Sequence, residues 1–195
     1  MRHSKFAGIA AALVLAAAPL AAQEVVDHLG IPGPVSFAGE DFALAWSSQP
    51  TNAYTKQEYL PAGQSLEAYD SMVLIEFLAG DLKPADAAAQ QATALNERRA
   101  SDPIANFQML EHPQNGEIVL DFVLSSRDEA GEYIIEWNGY RYAPATDAEG
   151  NEGVMLFGIS RRAYGNDASR DFLTGLGEFK TRQVEALVAA PLPQM

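Results

Sequence analysis

Cysteine is absent from the 195 residues. That excludes disulfides, thiolate metal sites, cysteine nucleophiles and the lipidated cysteine of a bacterial lipoprotein, so no lipid anchor is expected. Histidine is nearly absent: only His3, His28 and His112 occur. They are far apart and no H-E-x-x-H pattern joins them, so no metal site is expected. Basic residues are scarce, 13 against 26 acidic ones, for a formal charge of −13. A field of that sign repels phosphate backbones and anionic membrane surfaces, which argues against a nucleic-acid partner. The chain also lacks a G-x-S-x-G elbow, a G-x-x-x-x-G-K-[ST] phosphate loop and a G-x-G-x-x-G dinucleotide fingerprint. No cofactor is therefore expected. Beyond the first 22 residues no apolar run approaches the ~20 residues of a membrane-spanning helix.

The first 22 residues do carry a signal. Arg2 and Lys5 give a positive start, an apolar run follows from Phe6 to Ala18, and Pro19-Leu20-Ala21-Ala22 closes it with small residues. Charge, apolar stretch and small-residue site in that order are the layout of a secretory signal peptide. The expectation is export to the periplasm or medium of a Gram-negative-type cell, with cleavage before Gln23. Without that segment 11 basic residues face 26 acidic ones, a balance of −15.

The remainder reads as an irregular leader over 23–39, a single domain over 40–190 and a short tail over 191–195. Alternation of Phe42, Leu44 and Trp46 gives a half-buried strand from Asp41 to Ser48, paired with another from Ala53 to Leu60. Ser65 can cap a short helix from Leu66 to Ser71. Met72 to Leu78 reads as a central strand, and Pro84 opens an alanine-rich helix over 85–100. Strands follow at 105–111, 117–126, 132–143 and 153–163, then a helix over 168–189 capped by Asp167 and weakened near Gly175 and Gly177. In the 132–143 strand the alternation of Tyr133, Ile135 and Trp137 with Tyr140 and Tyr142 slips at Asn138-Gly139. The slip fits either a two-residue hairpin or a bulge, and the strand lengths favour a bulge that turns Trp137 and Tyr140 to one core.

This order predicts an α+β fold: an antiparallel-dominated sheet of about six to seven strands with helices packed on its faces. The phrase from Glu58 to Tyr69, followed by its apolar strand, and the stretch from Glu136 to Tyr142 resemble bacterial envelope members of the PsbP-like sandwich superfamily. The resemblance implies architecture and no particular activity.

Candidate site residues are few. Arg141, Arg161 and Arg162 stand out as cations in an anionic chain; sharing a face, Arg141 and one of the pair could receive a carboxylate or another anionic group. Salt bridges are the plainer role. Asp147, Glu149 and Glu152 form an acidic loop without the twelve-residue calcium pattern. No catalytic residue is assigned. The function expected is a non-catalytic envelope protein that binds a small molecule or a protein. The alternative is a hydrolase-type periplasmic enzyme whose site comes from scattered residues.

Overall fold

A computed structural model describes residues 25–112 and 115–195, so the expected signal segment, residues 1–22, lies outside the described residues. The elements are β1 (Val35–Phe37), β2 (Glu40–Thr51), β3 (Tyr54–Leu60), β4 (Ser71–Ala79), α1 (Pro84–Arg98), β5 (Asn106–His112), β6 (Glu117–Arg127), β7 (Tyr133–Thr146), β8 (Glu152–Tyr164) and α2 (Asn166–Ala189). The eight strands form one antiparallel sheet in the order β1-β2-β3-β4-β8-β7-β6-β5.

This overturns the expected α+β sandwich of six to seven strands. The molecule is mostly sheet, curled into a half-barrel, with two helices as accessories. The curl follows from one contact. The rings of Phe37 in β1 and Phe157 in β8 lie 6.2 Å apart. Four strand spacings of about 4.8 Å would hold those strands roughly 19 Å apart in a flat sheet. Closing that gap makes one side a hollow and the other a convex back.

The hollow holds the main core. Phe37, Phe42, Tyr59, Val73, Ile75, Phe77, Trp137, Phe157 and Ile159 point into it, and α2 lies in it with Phe172, Leu176, Phe179 and Leu187. The leader belongs to this core and is not a mere entry segment. Leu29 and Ile31 are buried, and the buried Gln57 accepts the backbone N–H groups of His28 (2.6 Å) and Leu29 (3.1 Å) through Oε1. Tyr59 donates to the carbonyl of Ile31 at 2.8 Å. The tail packs there too, through Leu192 and Met195. Asp167 is not the cap of α2: Gly165 holds that position, Asp167 sits in the first turn, and the helix runs unbroken through Gly175 and Gly177.

On the convex back α1 covers the β5–β7 corner. Its inward stripe is Ala87, Ala88, Ala92 and Leu95, small enough for the helix to sit close on Ile118, Leu120 and Phe122. The short helix expected at 66–71 is instead a string of turns. Ser65 closes one turn by accepting the N–H of Ala68, and Gln64 Oε1 takes those of Asp70 (2.8 Å) and Ser71 (3.2 Å). Side chains that satisfy the backbone locally compete with helix formation.

The bulge expected in β7 lies elsewhere. Registers run without a shift from Val123↔Trp137 through Phe122↔Asn138 and Asp121↔Gly139 to Leu120↔Tyr140. The strand is continuous and regular, so Trp137 enters the hollow while Tyr140 joins the convex cluster beside Phe122 at 4.9 Å. Both faces of β7 are buried, so aromatic residues can change face with no break in the ladder. A register shift does occur in β2, between Leu44 and Trp46. It turns Trp46 away from the face shared by Phe42 and Leu44 and leaves it 38% exposed.

Candidate functional site

The three arginines do not assemble. Arg141 and Arg161 share the hollow, but Arg141 opposes Phe157 whereas Arg161 opposes Trp137. Four residues of strand separate them, roughly 13 Å at ~3.3 Å per residue. Arg141 is fully engaged. It grips Glu117 with Nε at 2.8 Å and Nη2 at 3.0 Å, and its Nη1 donates to the carbonyls of Leu187, Val188 and Ala190 at 3.1, 3.2 and 2.8 Å. That is a cap on the C-terminal end of α2. Arg162 points to the convex back, paired with Glu136 and stacked 4.1 Å over the Tyr69 ring. The acidic loop is likewise self-contained: Asp147 accepts the side-chain amide of Asn151 (2.8 Å) and the backbone N–H groups of Asn151 (2.8 Å) and Glu149 (3.0 Å), and these bonds, the side-chain one foremost, hold its carboxyl below the ordinary range. Among the described residues no group of three metal-ligating side chains converges.

Unmet hydrogen-bonding capacity marks a different place. Among the described residues four buried side-chain polar atoms have no partner: Ser71 Oγ, Trp137 Nε1, Arg161 Nε and Gln183 Oε1. Ser71, Arg161 and Trp137 are register partners across β4, β8 and β7, so they form a row on the concave side. Arg161 has one ion pair, to Glu40 at 3.7 Å. Trp137 is fully buried. An indole N–H in that state costs on the order of 1–3 kcal/mol unless something else accepts from it.

Trp137 lies at a cleft of about 530 Å³ between α2 and the β5–β7 end of the sheet. Three features shape it. Gly139 follows Trp137 by two on the same face, and a Cβ there would come within 2.8 Å of the indole, so the glycine lets the ring lie down on the strand. Phe179 meets the ring edge-on at 5.5 Å and fixes its tilt. From α2, Leu173, Leu176 and Gly177 form the opposite wall. Gly177 has no neighbour within 4 Å of a built Cβ and no positive φ, so neither packing nor backbone conformation demands glycine. Its consequence is room.

Polar groups ring the cleft. Asn106 and Gln108 contribute from β5 and Asp121 from β6, while Lys180 reaches across from α2. Lys180 Nζ stands 3.1 Å from Asp121 and 3.4 Å from Gln108 Oε1. Asp121 is buried, so the ammonium is the counter-charge that permits it. No serine, threonine, tyrosine or histidine lines the cavity, and its one carboxylate is engaged. The arrangement can hold a molecule; it offers no nucleophile paired with a base.

A wider hollow of about 1000 Å³ lies between the Ala79–Pro84 turn and the β7–β8 hairpin. None of the four unpartnered atoms belongs to its lining. Its walls are turn tips, and it reads as surface relief.

Sequence reasoning missed Asp121, Gln108 and Lys180 and took Trp137 first as a core anchor, with an aromatic platform for a ligand as the alternative. The one signal in the chain was the glycine pair in α2, read as a joint. No curated protein and no solved structure matches the chain. A family model matches residues 29–192, taking in all eight strands, both helices and the cleft, and the chain belongs to that protein family.

Proposed function

We propose that this protein is an exported, non-catalytic binding module that holds a small molecule in the cleft between α2 and β5–β7. The observation that carries the reading is the cleft of about 530 Å³, within the ~300–1,000 Å³ range of small-molecule sites, walled by Val123, Leu173 and Leu176 and left open where Gly177 stands on α2. Export rests on the charge, apolar and small-residue order of residues 1–22. Among the described residues no helix is long and apolar enough to cross a membrane.

Titration with Nile red, an uncharged environment-sensitive dye, tests the reading. The dye should show saturable, blue-shifted emission with one site per chain. Gly177→Leu, which fills the cleft from an open helix position, should abolish it with little change in melting temperature. Emission that never saturates, or that survives Gly177→Leu unchanged, would count against the cleft.

A further inference from the structure

We infer that the free edge of β5 is a self-complementary interface whose occupant is a second copy of this chain, added as an antiparallel strand about a two-fold axis at Met109. This goes beyond the cleft reading and does not depend on it. Backbone direction comes first. Ser125 of β6 donates its N–H to Asp102 (2.7 Å) and turns its carbonyl to Arg98 (2.7 Å), both in the segment that leads into β5. Peptide groups alternate along a strand, so Val123, Asp121, Val119 and Glu117 also face β5 and hold Asn106, Gln108, Leu110 and His112. Phe107, Met109 and Glu111 therefore turn their N–H and C=O groups to the open edge. In keeping with this, the Phe107 N–H donates to the side-chain oxygen of its neighbour Asn106 at 3.0 Å.

The two edges of the sheet differ. β1 ends one side with three residues, too short to template a partner. β5 has seven residues, no proline or lysine, and no register shift against β6. Met109 and Leu110 stand on it at 40% and 41% exposure, two of the few large apolar side chains left in solvent. Such an edge is open to another strand. Pairing about Met109 sets Met109 against the partner's Met109, Phe107 against the partner's Glu111 and Gln108 against the partner's Leu110. Each outward-facing residue then meets an outward-facing one, as an antiparallel ladder requires. Charge selects the occupant. Phe107 and Glu111 share the convex face through their partners Phe122 and Ile118. The Arg99 guanidinium stacks 4.8 Å over the Phe107 ring, its N–H groups held by oxygens of Asn96, Ala105 and Asn106. Among the described residues neither Arg99 nor the exposed Glu111 has a partner of opposite charge. Two-fold pairing brings the partner's Glu111 beside Phe107 and Arg99, once on each side of the axis. A parallel in-register pair would oppose Glu111 to the partner's Glu111, which is repulsive.

Sedimentation velocity on the purified protein tests the interface. One short edge makes a small interface, so the dimer should be weak, largely monomer at about 1 µM and largely dimer at about 100 µM. Met109→Pro deletes only an N–H that faces the open edge, so it spares the β6 ladder and should weaken the dimer about tenfold or more. Glu111→Arg should weaken it comparably. Adding Arg99→Glu to that variant should recover most of the loss, which an unspecifically adhesive edge would not do. Circular dichroism checks that each variant folds, and Met109→Pro decides alone should the double variant not. Monomer at every concentration up to about 100 µM, or a dimer indifferent to Met109→Pro, would overturn the proposal. So would a folded double variant that recovers nothing. None of these results bears on the cleft, whose dye titration reads a monomer as well as a dimer.

Discussion

Arg141 makes five hydrogen bonds, two to Glu117 and three to carbonyls at the end of α2. It is 8% exposed, so removing it strands Glu117 and several carbonyls together. Arg141→Ala is expected to lower unfolding free energy by about 3–5 kcal/mol, the range for breaking a buried pair from one side. A urea melt checks it, and a loss under about 1 kcal/mol would return Arg141 to the list of free cations. The residue was legible in the sequence as unusual, a cation between two tyrosines. Its partners were not, because they come from positions 24 and up to 49 residues away in the chain. Trp137 poses the same problem: its aromatic character announced a core residue, but whether its indole N–H finds an acceptor depends on the tertiary packing around it, and it finds none.

Elements were more readable than residues. Alternation located seven of the eight strands, all but the three-residue β1, which is too short to show a period. It misplaced the irregularity because periodicity records face and not register. In β7 both faces are apolar, so a change of face mimicked a bulge; in β2 the real shift hid within an apparently regular Phe42, Leu44, Trp46 series. The glycines of α2 yield a prediction at this scale. Gly175→Ala, where no neighbour lies within 4 Å of the built Cβ, should raise stability by about 0.5–1 kcal/mol through helix propensity. Gly177→Ala should stabilise similarly and also narrow the cleft, weakening Nile red while Gly175→Ala does not. Thermal melts paired with dye titrations separate the two.

A second tie between elements predicts a pH dependence. Asp102, just beyond α1, accepts from Ser125 N (2.7 Å) and Oγ (2.6 Å) on β6, from Ile104 N (3.1 Å) and from Arg98 (3.4 Å). Burial pushes its carboxyl up, but these hydrogen bonds outweigh burial and hold it below the ordinary aspartate range. A lowered folded value means stability that is present above the unfolded value of ~3.9 and is lost as pH falls through the folded one. Asp102→Asn should lose stability at neutral pH and show a shallower decline in acid than the unaltered protein. Parallel acid limbs in urea melts between pH 5 and pH 2.5 would contradict this.

At the scale of the whole molecule, the curl decides where a site can exist. A flat sheet layered with helices would bury α2 evenly. A half-barrel lets α2 settle over β7 and β8, its main contacts, and leaves the β5–β6 edge partly uncovered. Sequence patterning specified which residues are buried but not how the sheet bends, because curvature is set by glycines and register shifts acting across many strands. Gly158 shows this. A Cβ there would meet Tyr140 at 2.8 Å and Leu74 at 3.0 Å, so β4, β7 and β8 pack at that point only around a missing side chain.

The chain has two tryptophans, and they differ in every respect that matters here: Trp46 is 38% exposed on the outside of the sheet, and Trp137 is fully buried beside the cleft. Their indole N–H groups give two resolved cross-peaks in a ¹⁵N–¹H correlation spectrum, assignable by Trp46→Phe. Titration with Nile red should move the peak of Trp137, whose ring borders the cleft, and leave the Trp46 peak in place. A Trp137 peak that holds still at saturating Nile red, or a Trp46 peak that moves in its stead, would contradict the assignment of the cleft as the binding site.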